Sequence, residues 1–250
     1  FLWLNNHKFF QITLDGNKEH HDKIRICKDG DKPTYDHILW VIHRLTQEME
    51  GDNFYITLRI NYDNHTLDSI PEILEKIKDL DRKKVFVHFE RVWQTENEST
   101  EQSRILLRTI IKKFIKAGFC VNQGTFRGYP YSCPSDMKNS IVINYDGSIH
   151  KCNGRTLSQL TKYGVLKNDG SLDIDENLLA KRLSVATFEN KECLSCKMLP
   201  VCMGPCSQKI LEHNGEWSKS ICSLRSIDTS LSDYLVTDFW VKSMVEKYNG

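Results

Sequence analysis

The chain has 250 residues, enough for one large domain or two smaller ones. Its 40% hydrophobic and 27% charged content gives ample material for a core, and a formal net charge of +1 gives no electrostatic reason to expect a nucleic-acid partner. No apolar run approaches the roughly 18 residues of a membrane span, and no basic-then-apolar secretory signal opens the chain.

The segment Phe1-Leu-Trp-Leu4 reads as the tail of an earlier element, which predicts a piece of a longer chain. Residues 9–14 (FFQITL) form a short apolar run closed by the turn pair Asp15-Gly16. Residues 37–49 carry Ile38, Val41, Ile42 and Leu45 at helical spacing. A strand is predicted over 54–60, then a helix over 67–80 with Ile70, Ile73, Leu74 and Ile77 on one face. A third strand over 85–92 and a helix over 103–119 follow. The alternation argues an α/β fold: a parallel sheet with crossover helices, either half of a barrel or a small open layer.

The texture changes after Gly118. Residues 120–137 are loop-like, with Gly124, Gly128, Pro130 and Pro134. Residues 141–152 alternate on both sides of Asp146-Gly147, the pattern of a β-hairpin. Asp169-Gly170 repeats the turn chemistry, 176–183 is helical, and a last helix is predicted over about 224–248. The domains expected are 1–119 and 120–250, the second loop-rich and cysteine-rich with a hairpin and helices.

Of nine cysteines, only Cys27 precedes residue 120, which favours metal chemistry in the second half over a disulfide scaffold. Cys27 lies in a polar loop and receives no catalytic assignment. From Cys133 the pattern is C-x13-G-x4-C through Gly147 to Cys152. C-x2-C-x5-C-x3-C follows at Cys193, Cys196, Cys202 and Cys206, and a final Cys222 closes the array. Short gaps let thiolates converge from a tight turn, and thiolates suit both zinc and iron–sulfur clusters. Structural zinc in all-cysteine sites is the plain alternative. With either metal, removal is expected to unfold this half.

The whole pattern closely resembles the SPASM domain, the auxiliary-cluster domain of many radical S-adenosylmethionine (radical SAM) enzymes. The resemblance covers roughly residues 120–222 and implies two auxiliary [4Fe–4S] clusters. Cys133, Cys152 and Cys206 would hold the first, with Cys120 as candidate fourth ligand. Cys193, Cys196, Cys202 and Cys222 would hold the second. The first half looks like the second half of the partial (β/α)6 radical SAM barrel. Gln11-Ile-Thr-Leu-Asp-Gly16 with His20-His21-Asp22-Lys23 resembles the fourth strand and its loop. Thr57 to Asp63, with Asn64, resembles the fifth.

Residues at the C-terminal ends of barrel strands face the active site, so Gln11, Thr13, Asp15, Arg59 and Asn61 are the expected S-adenosylmethionine contacts. In the structural alternative Asp15 serves only its turn, Arg59 makes an ordinary ion pair, and His88 and Glu90 form a satisfied polar pair.

Two departures qualify the resemblance. The C-x3-C-x2-C loop that binds the catalytic cluster of these enzymes is missing from the sequence, and Asn153 stands where sulfatase-maturing members carry an acidic residue. The resemblance thus implies the C-terminal portion of a peptide maturase that modifies a ribosomally made peptide or a protein. Its reductant would be flavodoxin or ferredoxin, and its compartment the reducing cytoplasm. The alternatives are a non-catalytic peptide-binding or electron-transfer protein and a zinc-stapled interaction domain.

Overall fold

The computed structural model describes residues 7–28, 30, 32–49, 54–92, 99–123, 133–184, 190–213, 221–223 and 228–249. The chain divides into two compact units, Phe1–Thr125 with Leu224–Gly250, and Phe126–Ser223.

In the first unit, β1 (Phe9–Asp15), β2 (Tyr55–Tyr62), β3 (Val85–Arg91) and β4 (Cys120–Gln123) form one sheet in sequence order, every pair parallel. Between the strands run α1 (Lys18–Ile24), α2 (Tyr35–Glu48), α3 (Ile70–Ile77, entered through a 3-10 turn at Leu67–Ser69) and α4 (Glu101–Lys116). The strand–helix alternation expected from sequence is therefore present. Two elements were not expected. Residues 120–123 are a fourth strand rather than loop, because backbone pairing with Phe86 to Phe89 recruits them. Residues 18–24 are a short helix, started by the Asn17 side chain accepting from the His20 N–H. Gly124, Gly128 and Pro130 of the expected loop lie outside the described residues, as does Phe1 to Leu4.

Strand periodicity sorts the sheet into two unlike faces. Leu14, Leu58, Ile60, Val87, Phe89 and Val121 point into a core closed by Leu39 and Ile42 of α2, Ile73 and Ile77 of α3, and Ile110 and Phe114 of α4. Each fully buried aliphatic side chain contributes roughly 1.5–3 kcal/mol. The opposite face carries Thr13, Arg59, Asn61, His88 and Glu90, all half-buried. Parallel sheets ordinarily bury apolar residues on both faces.

The second unit is built on an antiparallel sheet of four short strands, β5 (Val142–Ile143), β6 (Ser148–His150), β7 (Gly164–Leu166) and β8 (Leu172–Ile174). Both expected turns, at Asp146-Gly147 and Asp169-Gly170, connect neighbouring strands. In each, the aspartate accepts from the backbone and side chain of the serine two residues on. At Gly164 a Cβ would stand 2.0 Å from the Asp173 carbonyl oxygen, so only glycine lets β7 and β8 pair here. The helices α5 (Glu176–Leu183), α6 (Lys191–Leu194), α7 (Leu199–Cys202) and α8 (Ser207–Glu212) complete the unit.

The C-terminal helix α9 (Leu231–Asn249) belongs with the first unit, not with the cysteine-rich one that the sequence reading assigned it to. Its ties are to the sheet's last helix. Arg108 of α4 pairs with Asp233 at 3.0 Å, and the Lys112 ammonium lies 5.5 Å from the Trp240 ring centre. Asp228, just before α9, has a fully buried carboxylate that accepts from the Arg91 guanidinium, the Ser103 hydroxyl and the Tyr62 hydroxyl.

Candidate functional site

Two groups of side chains carry chemistry, one in each unit. The first lies on the polar face at the C-terminal ends of β1 and β2. Register sets Thr13 beside Arg59 and Asp15 beside Asn61. There Arg59 Nε donates to Asn61 Oδ1 at 2.8 Å, and Asn61 Nδ2 donates to Asp15 Oδ1 at 2.7 Å. The other Asp15 oxygen pairs with Arg25 of the loop after α1. Three of the five expected contacts are thus linked in one chain. Thr13 sits half-buried beside them, and Gln11 is exposed farther back along β1.

Asp15 is held by two protein partners, so part of its role is structural. Arg59 differs. Its two terminal nitrogens have no hydrogen-bond partner among the described residues, and a guanidinium fork suits a carboxylate. His88 Nε2 and Glu90 Oε2 meet at 2.8 Å as a paired couple. A shallow polar cleft between α1 and the start of α3 is lined among others by Asn17, His20, Lys23, His65 and Asp68, and by none of the five expected contacts.

His21 fixes this edge from behind. Its Nδ1 accepts the Asp15 N–H at 3.1 Å, so the neutral ring carries its proton on Nε2, 3.2 Å from Thr34 Oγ1. Thr34 in turn donates to the Arg25 carbonyl at 2.6 Å. Burial pushes the His21 pKa below its usual value, which keeps that tautomer in place. Sequence reading named the His-Asp pair but not Arg25 or the His21 tautomer, since both depend on a loop folding back over β1.

The second group is the cysteines. Cys133 stands at the head of a 3-10 turn, Cys152 just beyond β6, and Cys206 at the head of α8. Burial raises the Cys152 pKa, and the thiols of Cys206 and Cys133 raise it further, while Arg182 pulls it down. Cys193 of α6 is raised by burial and then by Cys222, Cys202 and Cys196. Cys202, at the end of α7, is raised by burial and also feels Cys222 and Cys196, and hydrogen bonds from Ser223 and the Gly204 backbone oppose the rise.

Cys152 is thus under the influence of Cys133 and Cys206, and Cys193 under that of Cys196, Cys202 and Cys222. The interleaving has a local cause. Met203 and Gly204 take left-handed φ values of 55° and 94°, so the chain turns sharply between Cys202 and Cys206. For Met203 that conformation costs about 1–2 kcal/mol, and it sends two cysteines that are close in sequence into different sets.

Among the described residues no three Cys, His, Asp or Glu side chains converge on a point that would hold a single ion. The thiols of each set are neighbours rather than a collapsed four-sulfur site. Crowding thiols together is unfavourable for thiolates until a cation shares them, and an all-thiol donor set is the soft kind that iron–sulfur clusters and zinc select. Cys120 belongs to β4 of the first unit and is buried there, and burial alone raises its pKa. Cys27 is exposed.

Behind the first set lies a polar cluster that sequence reading missed. Arg182 of α5 is 1% exposed and reaches Gln208, Ser135 and Asp136. Its signal was faint: Leu179 and Arg182 are the two buried positions of α5, one helical turn apart. Buried Lys151 donates to the carbonyls of Met137, Lys138 and Ser140 and closes the loop that follows Cys133.

Among the described residues no helix is long and apolar enough to cross a membrane. Comparison with known protein families finds no match, and comparison with curated proteins finds none.

Proposed function

We propose that the chain belongs to the peptide-modifying radical S-adenosylmethionine enzymes with a SPASM domain, contributing part of the S-adenosylmethionine site and two auxiliary [4Fe–4S] clusters. The observation that carries the reading is the seven-cysteine spacing from Cys133 to Cys222, with Cys152 under the influence of Cys133 and Cys206, and Cys193 under that of Cys196, Cys202 and Cys222. Those groupings coincide with the ligand division that the C-x13-G-x4-C and C-x2-C-x5-C-x3-C spacings imply by resemblance. The parallel sheet with one polar face supports the barrel half of the reading.

In this reading the Arg59 fork binds the ligand's carboxylate, and Asn61, anchored by Asp15, sets the Arg59 side chain in place. Thr13 and Gln11 offer hydrogen bonds farther along the strand. Cys193, Cys196, Cys202 and Cys222 hold one cluster completely, and Cys133, Cys152 and Cys206 hold the other with one position left for a further ligand. When bound, these groups supply hydrogen abstraction from a peptide and a one-electron relay. Cleavage of S-adenosylmethionine needs a further cluster on a C-x3-C-x2-C loop, and no such triplet stands in these 250 residues. Partners are a peptide or protein substrate and a low-potential reductant such as flavodoxin or ferredoxin, in a reducing compartment.

The test is iron, sulfide and zinc content of protein purified without oxygen, together with its visible spectrum. About eight irons and eight sulfides per chain with a broad absorbance near ~400 nm are expected. Colourless protein carrying one or two zinc ions would overturn the reading in favour of a structural metal domain.

A further inference from the structure

The surroundings of the two thiol sets differ in charge. Beside the first set, Arg182 is buried to 1% exposure, with Nη1 donating to Gln208 Oε1 at 2.7 Å and Nη2 3.2 Å from both Ser135 Oγ and Asp136 Oδ1. Ser135 passes the interaction on, because its hydroxyl donates to Cys133 Sγ at 3.0 Å. Gln208 follows Cys206 by two residues, so the guanidinium is tied to chain next to two of the three thiols. Its Nε is buried without a hydrogen-bond partner among the described residues.

One carboxylate, itself 30% exposed, is a thin counter-charge for a guanidinium with no exposure at all. A guanidinium stays charged at any accessible pH, so this positive charge is permanent. The charged side chains that flank the second set, Lys191, Glu192 and Lys197, are all exposed.

An iron–sulfur cluster gains one negative charge when it is reduced. A fixed buried cation beside it favours the reduced state, and an anion opposes it. Hydrogen bonds to ligand sulfur act in the same direction as the cation. We infer that Arg182, acting directly and through Ser135, poises the two centres apart, so that the centre held by Cys133, Cys152 and Cys206 takes an electron before the centre held by Cys193, Cys196, Cys202 and Cys222. The inference rests on the two-cluster reading above. It makes the first centre the resting place of an electron withdrawn from substrate, and the second the lower-potential member of the relay.

The experiment is a dithionite titration of the full chain under anaerobic conditions, followed by electron paramagnetic resonance. Signals are assigned with Cys206→Ser, which alters the first centre, and Cys196→Ser, which alters the second. In the wild type the first centre is reduced first. Arg182→Met lowers its reduction equilibrium constant about tenfold, equivalent to ~59 mV for one electron, and leaves the second centre in place. Arg182→Lys retains most of the wild-type value.

Reduction of the second centre first, equal movement of both centres, or no movement in Arg182→Met overturns the inference while leaving the clusters intact. Should Arg182→Met fail to take up the first cluster, Ser135→Ala decides. A smaller downward shift confined to the first centre supports the inference, and an unmoved potential overturns it. Wild-type protein without iron removes the cluster reading itself, a failure distinct from all of these.

Discussion

Asp228 offers a sharp test of what fastens the C-terminal segment to the sheet. Its carboxylate is 0% exposed, and the Arg91 side chain opposite it is 8% exposed. Asp228→Asn keeps the shape, keeps an oxygen for the Ser103 hydroxyl, and suits the left-handed φ of 50° at this position, which disfavours most other residues. What it removes is the negative charge. Removing one partner of a buried ion pair costs about 3–5 kcal/mol. The low end, about 3 kcal/mol, is expected because the amide oxygen still accepts and Asn64 Oδ1 accepts from Arg91 Nη2 at 2.8 Å. Against a typical stability of roughly 5–15 kcal/mol, that is a large loss.

The assay is urea unfolding of anaerobic protein, followed by tryptophan fluorescence and far-UV circular dichroism. The double variant Arg91→Met with Asp228→Asn is expected to recover most of the loss, to within ~1 kcal/mol of wild type, since apolar replacement of a buried pair is often close to neutral. A single Asp228→Asn within ~1 kcal/mol of wild type, or a double variant worse than the single, would refute the reasoning.

Three further outcomes are expected. Cys206→Ser and Cys196→Ser each reduce bound iron from about eight toward about four per chain, and losses that depend on neither set, or fall equally on both signals, contradict the division of thiols. Gly164→Ala forces the Asp173 carbonyl aside and destabilises the second unit by at least ~1–3 kcal/mol, read as a lower chemical midpoint, whereas an unchanged midpoint would mean that β7 and β8 are not paired. The third concerns pH. His21 has a folded-state pKa below the 6.5 of a free histidine, because burial outweighs the pull of Asp15. The unfolded chain therefore binds the extra proton first. Stability from this residue is complete above about pH 6.5 and declines as pH falls from there through the folded-state pKa. His21→Gln flattens that slope between pH 7 and 5 in urea titrations, and an unchanged slope would assign it to another group.

Much of the first unit was legible because its signals are local. Ile70, Ile73 and Ile77 recur at helical spacing, and residues 56, 58 and 60 alternate with polar neighbours, so element type and buried face follow from one another. β4 was not legible. Four residues, Cys120-Val-Asn-Gln123, carry little preference of their own and become a strand only because β3 offers an unpaired edge. For α9 the sequence foretold the helix but not its unit, since Asp228, Asp233 and Trp240 meet partners on α4 and β3 from more than a hundred residues earlier.

The candidate sites divide in the same way. Arg59, Asn61 and Asp15 could be proposed from strand position, but their linkage needs the parallel register that sets Asp15 beside Asn61. The cysteine spacings by themselves put candidate thiol ligands in the second unit, because short gaps bring thiols together whatever the surroundings. Only the tertiary structure decided which charges stand behind those thiols. A buried arginine such as Arg182 is chosen by long-range packing against Ser135 and Gln208, and no local pattern in its own helix announces those partners.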